Sequence, residues 1–259
     1  MPDFISENVN IYYEENGDGF PVILIHGLMG SIPMSKHIID FLKDHYRVIA
    51  FDCRGHGKSS KPPVYSLRDH INDVVNLMNH LNIESGYIMG VSMGSYIAQG
   101  VTVSVPQRVE KLILVAPKSN GKTSSTQALF TRHAEELEGL DVQEKLLKVN
   151  KYIWYNLTAI AKVMEEFKDL NAMLTAPEEQ AAASKALEGF DFRNDLNRIT
   201  APTLIISGKH DGLNPPDLGR EIKLLIPNST FIEFKHSGHS PDIEEPRLFR
   251  KTILDFLAD

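Results

Sequence analysis

The chain has 259 residues, about 1.7 times a common domain length of ~150, and a chain of this size buries a sizeable core without disulfide or metal staples. Its 42% hydrophobic and 24% charged residues exclude a disordered chain, a collagen-like repeat and a coiled coil. The 27 Lys and Arg against 34 Asp and Glu give a net charge of −7 with no Lys/Arg run, which argues against bulk binding of nucleic acid or anionic membrane.

The start, MPDFISENVN, lacks the basic and apolar regions of a signal peptide, and no apolar stretch is long enough to cross a bilayer. The single cysteine, Cys53, permits no intramolecular disulfide. The expectation is a soluble cytoplasmic protein. The first element, VNIYYEE at 9–15, alternates as an edge or antiparallel strand does. Short Val- and Ile-rich runs follow: PVILIHG at 21–27, YRVIAFD at 46–52, SGYIMGVS at 85–92 and VEKLILVAP at 109–117. Each is apolar nearly throughout, the pattern of a parallel strand buried on both faces. Two more, APTLIISG at 201–208 and STFIEF at 229–234, come much later.

Helical patterns fill the gaps. Residues 69–81 place Ile71, Val74, Val75, Met78 and Leu81 on one face, and Ser66 with Asp69 forms a capping-box signature at the start. Val101, Thr102, Val103, Ser104 and Val105 alternate like a strand, but their place after a strand-to-helix turn makes them helical. From about 119 to 196 no convincing strand appears. Pieces near 125–138, 141–153, 157–170 and 177–188 read as helices, punctuated by Gly139, Pro177 and Gly189. Pro246 opens a last helix with a stripe of Leu248, Phe249, Ile253, Phe256 and Leu257. Strand-helix alternation argues a doubly wound α/β fold, interrupted by a helical insertion at 119–196.

Gly90-Val91-Ser92-Met93-Gly94 is a G-x-S-x-G between an apolar run and helix-length sequence. Small residues two positions either side let a strained turn close and leave the Ser92 hydroxyl exposed. A serine hydroxyl needs a base and a carboxylate to orient that base. His239, in Ser237-Gly238-His239-Ser240, lies beyond the last strand run, with His236 its main competitor. His37, His45, His70, His80 and His133 sit on or beside helices and read as surface or packing residues. Asp211, after the run at 201–208, falls at the same sheet end; its other reading is a turn-forming Asp before Gly212, and Asp217 and Asp242 are weaker rivals. An oxyanion needs two backbone N–H donors, expected from Met93 and from Leu28 in His26-Gly27-Leu28-Met29-Gly30. His26 closes a buried strand and reads as structural.

Six pieces, HGLMG at 26–30, FDCRGHGKS at 51–59, GVSMG at 90–94, PQRVEKLILVAP at 106–117, PTLIISGKHD at 202–211 and SGHSPDIEEP at 237–246, make the chain resemble the α/β-hydrolase fold family, in its lid-bearing branch of small esterases, lactonases and carbon–carbon bond hydrolases. Ser95 departs from it, since many relatives have Gly there. The resemblance implies a mostly parallel eight-stranded sheet, a core of 1–118 and 197–259, and a helical lid at 119–196. It also implies a Ser92, Asp211, His239 triad, an oxyanion hole from Leu28 and Met93, and no cofactor. The expected activity is serine-hydrolase cleavage of a small carboxylic ester or lactone through an acyl-enzyme. Alternatives on the same scaffold are cleavage of a vinylogous diketone, with Arg132, Lys162 or Arg193 gripping a second carboxylate, a cofactor-free perhydrolase, and a non-catalytic ligand receptor. Gly57-Lys58-Ser59 and Gly121-Lys122-Thr123 fail as P-loops because Asp52 and Ala116 stand where the first glycine belongs, and Ser60 breaks a dinucleotide fingerprint. No H-E-x-x-H or Cys pair suggests a metal site.

Overall fold

A computed structural model describes residues 3–167 and 176–258. Eight strands form one sheet: β1 (Asp3–Ser6), β2 (Val9–Asn16), β3 (Pro21–Ile25), β4 (Arg47–Phe51), β5 (Gly86–Val91), β6 (Val109–Val115), β7 (Thr203–Gly208) and β8 (Ser229–Phe234). Their order is β1-β2-β4-β3-β5-β6-β7-β8. The pairs β1/β2 and β2/β4 are antiparallel and all others parallel.

The apolar runs are continuous because helices cover both faces, so both sets of alternating side chains are buried. Ile23, Ile25, Ile49, Ile88, Leu112 and Ile205 point into one core cluster. It is shared with α2 (Leu67–His80), α3 (Met93–Ser104) and α8 (Pro216–Leu225). Val22, Leu24, Val48, Met89, Ile113 and Ile206 point the other way, against α1 (Lys36–Leu42) and α10 (Pro246–Ala258). Truncating any fully buried Ile here to Ala would cost ~2–5 kcal/mol. At the start of α2 the Asp69 carboxylate accepts from both the Ser66 N–H and hydroxyl at 2.7 Å. Residues 101–104 are helical within α3, where Thr102 Oγ1 donates to the Ala98 carbonyl at 2.8 Å.

Between β6 and β7 lie α4 (Ser125–Arg132), α5 (Val142–Ile153), α6 (Leu157–Glu166) and α7 (Pro177–Lys185). The end of the helix expected at 157–170, like part of the segment 119–196, lies outside the described residues. Asp141 caps α5 by accepting the Glu144 N–H at 2.9 Å, and Asn156 caps α6 by accepting the Ala159 N–H at 3.1 Å. Leu129, Leu137, Val149 and Ile153 form a small separate core, against which Trp154 and Leu213 pack. The short helix α9 (Pro241–Glu244) precedes α10 and packs against α6. Among the described residues no helix is long and apolar enough to cross a membrane.

Candidate active site

Ser92 stands at the junction of β5 and α3 with φ of 51° and ψ of −114°. A non-glycine residue adopts this left-handed conformation only at a cost, and such strain gathers at functional turns. The flanking glycines are required by contact. A Cβ on Gly90 would lie 2.1 Å from the Gly94 carbonyl oxygen, and one on Gly94 would lie 2.1 Å from that of Ile25. Ser95 is fully buried, and its hydroxyl donates to the Ser92 carbonyl at 2.6 Å, so the departure at this position braces the turn.

The loops after β7 and β8 carry Asp211 and His239 to the same sheet end. His239 Nε2 is 2.9 Å from Ser92 Oγ, and His239 Nδ1 is 2.7 Å from Asp211 Oδ2. A carboxylate only accepts, so Nδ1–H donates to Asp211 and Nε2 is left to accept the Ser92 proton. Asp211 Oδ1 takes the N–H groups of Leu213 at 2.8 Å and Asn214 at 2.9 Å, which fixes the carboxylate. Burial opposes a charge on His239. The Asp211 carboxylate, with Asp242 and Glu244 behind it, outweighs burial and raises the imidazole pKa above its ordinary value.

The rival residues do not join this relay. His236 is exposed beside Tyr155. Asp217 pairs with Arg220 on the surface. Asp242 accepts from His37 Nε2 at 2.8 Å, and its carboxylate outweighs burial to raise the His37 pKa. His37 reads from the sequence as a surface or packing residue; here it lines the cavity beside Ser92. Cys53 is fully buried, and burial pushes its thiol pKa well up.

The HGLMG segment passes close to Ser92: a Cβ on Gly27 would stand 3.5 Å from the Ser92 Cβ. Leu28 lines the same cavity as Ser92, and Met93 follows Ser92 as the first residue of α3. His26 braces this loop. Its Nδ1–H donates to the Gly27 carbonyl at 2.7 Å and its Nε2 accepts the Cys53 N–H at 2.9 Å. That arrangement requires a neutral ring, and burial lowers its pKa to about 4. Asp52 adds two bonds at 2.8 Å, from the N–H groups of Ile32 and Lys58. Arg54 forks onto the buried Asp73 of α2 at 2.7 and 2.9 Å. The FDCRGHG segment is therefore scaffold.

A cavity of about 220 Å³ opens above Ser92 and His239. Its walls include Leu28, Met34, Ile38, Trp154, Ile160 and Met164. The pairing role of His37 left no local trace in the sequence, because its partner is 205 residues away. Among the described residues no group of three His, Cys, Asp or Glu is placed to hold a metal ion.

The sequence profile of the alpha/beta hydrolase fold matches residues 21–144 and 146–246. A Pseudomonas putida protein named 2-hydroxy-6-oxononadienedioate/2-hydroxy-6-oxononatrienedioate hydrolase 2 is 29% identical, over 96% of this chain and 92% of its own length. A thermophilic esterase from Thermogutta terrifontis, solved with malate bound, superimposes with a TM-score of 0.82 at 26% identity, covering all of this chain and 97% of its own. The enol-lactonase of Burkholderia xenovorans LB400 gives a TM-score of 0.79 at 25% identity, with both chains covered throughout.

Proposed function

The chain belongs to the α/β-hydrolase fold family, and on that premise we propose that it is a serine hydrolase cleaving a small, uncharged carboxylic ester or lactone. The observation that carries this reading is the unbroken relay from Ser92 through His239 to Asp211, with Ser92 and His239 lining a cavity. Ser92 Oγ attacks the carbonyl carbon while His239 Nε2 takes its proton. Asp211 holds the ring and stabilises the imidazolium. The N–H groups of Leu28 and Met93 receive the developing oxyanion. His239 then returns the proton to the leaving alkoxide, and water, deprotonated by His239, releases the acid from the acyl-enzyme. In a lactone the alcohol stays tethered to the acyl group.

The cavity supports the substrate class. At about 220 Å³ it is below the ~300–1,000 Å³ of sites for drug-sized ligands. Its described lining contains no Lys or Arg. Arg132 donates to the Gly212 carbonyl, Arg193 pairs with Asp191, and Lys162 is exposed on α6. A dioate, as in the name of the Pseudomonas putida relative, would find no Lys or Arg among the described lining residues to pair its second carboxylate. We infer further that 119–196 acts as a lid on the core of 1–118 and 197–259, since Trp154, Ile160 and Met164 help to wall the cavity.

The test is turnover of p-nitrophenyl acetate. Ser92→Ala is expected to lower kcat by ~10⁴–10⁶-fold, and a fluorophosphonate probe to label Ser92 alone. Undiminished turnover in that variant would refute the assignment. Because the neutral form of His239 acts as base and its pKa is raised, kcat/KM should fall on acidification with a midpoint above ~6.5.

A further inference from the structure

We propose that Glu244 is a positioning residue that ties the helical segment to the loop of His239, setting both where the base stands and how much negative charge it faces. The proposal rests on the serine-hydrolase reading. Glu244 ends α9 and is 8% exposed. Its Oε1 accepts the N–H groups of Tyr155 at 2.6 Å and Asn156 at 2.7 Å. Its Oε2 accepts those of Gly238 at 2.7 Å and Ser240 at 3.3 Å. One carboxylate thus serves four backbone donors, two from the α5–α6 junction and two from the residues flanking His239. These donors lie outside the helical and sheet ladders, and a sheltered N–H without an acceptor is costly. Bonds to a charged acceptor are roughly twice as strong as neutral ones.

The same junction touches the catalytic loops through its carbonyls. His239 N–H donates to Ile153 at 2.8 Å and Gly212 N–H to Tyr152 at 2.7 Å. Residues 152–156 thus form a strap across both the acid and the base loops. The contact is close: a Cβ on Gly238 would meet the Ile153 oxygen at 2.3 Å, and one on Gly212 the Tyr152 oxygen at 2.3 Å. Glu244 closes the strap at its far end. Three carboxylates face His239: Asp211 from the β7 loop, and Asp242 and Glu244 from α9. Asp242 also faces His37 of α1.

Two variants separate reach from charge. Glu244→Gln keeps the shape but has one acceptor oxygen for four donors and no charge. Glu244→Asp keeps the charge but is one methylene too short to span both segments. With active enzyme counted by fluorophosphonate titration, kcat for p-nitrophenyl acetate is expected to fall ~10–100-fold in both, with KM changing less. In Glu244→Gln the acid limb of kcat/KM should move to lower pH, whereas in Glu244→Asp it should stay in place. A purely structural role would lower the amount of active enzyme and leave the limb unmoved. Wild-type kcat and an unmoved limb in Glu244→Gln would overturn the proposal. Hydrogen exchange on the wild-type protein provides a second reading should a variant fail to fold. The amides of Tyr155, Asn156 and Gly238 should be protected, and exchange at open-loop rates would refute the tie. A wild-type enzyme inert to both ester and probe would refute the hydrolase reading instead, while exchange would still decide the contact.

Discussion

The two flanks of Ser92 are held by different parts of the molecule. On one side the HGLMG loop is braced against the loop that follows β4, by His26 on the Cys53 amide and by Asp52, which joins the Ile32 and Lys58 amides. On the other, the Asp211 and His239 loops are braced by the strap at 152–156, which belongs to the helices between β6 and β7. The first flank shares the stability of the core. The second depends on a segment with a much smaller core of its own. A disturbance in the helices therefore reaches the base and its carboxylate before it reaches the nucleophile.

The largest break in this symmetry is Asp211→Asn. It leaves the Ser92 turn untouched but favours the wrong tautomer of His239, and kcat should fall ~10⁴-fold; steady-state kinetics at saturating ester would detect it. A paired substitution sharpens the contrast. Gly238→Ala presses a methyl on the Ile153 carbonyl, and the displaced base loop should show as a ~10–100-fold loss of kcat with little change in Tm. Gly94→Ala presses on the Ile25 carbonyl in the sheet-braced flank and should show first as ~1–3 kcal/mol of lost stability by denaturant titration. Equal losses of Tm in the two would contradict the division.

The pH dependence of stability sets two pairs of histidines against one another. Burial lowers His26 to about 4, and burial with the nearby His26 lowers His56 to about 3, so both stay neutral in the fold at pH 5. The unfolded chain takes those protons below ~6.5, and each costs about 2 kcal/mol of stability at pH 5. His37 and His239 have raised pKa values. Their contribution is fully present below ~6.5 and is lost as pH rises through the raised values. Calorimetry should record a fall in Tm from pH 7 to pH 5, and the fall should steepen when His37 is replaced by Gln.

Much of the sheet was legible because strands buried on both faces leave uninterrupted apolar runs, as at 21–25 and 203–208. The four-residue β1 leaves no readable period, because Asp3 and Ser6 bound a pattern too short to show one. The residues that meet around Ser92 were legible because each follows an apolar run at one end of the sheet. Glu244 was not. Beside Glu245 and ahead of Pro246 it reads as an acidic residue at an exposed helix start, and the two donors that tie it to the helical segment lie 88 and 89 residues upstream. Local periodicity reports which face of an element is buried, but not which distant backbone amide arrives beside it. The sequence names His37 as a surface or packing residue and Asp242 as a rival acid, but their pairing is made only through the tertiary fold.

The strap contacts have one more property. Each uses a main-chain group of residues 152, 153, 155 or 156, so none specifies the side chain at those positions. Sequence drift can therefore rewrite the helices that face a substrate while the same peptide groups keep the acid and base in register. In these strap contacts the catalytic loops read the backbone of the helical segment, while side chains such as Arg132 and those of the small core around Leu129 meet the acid loop separately.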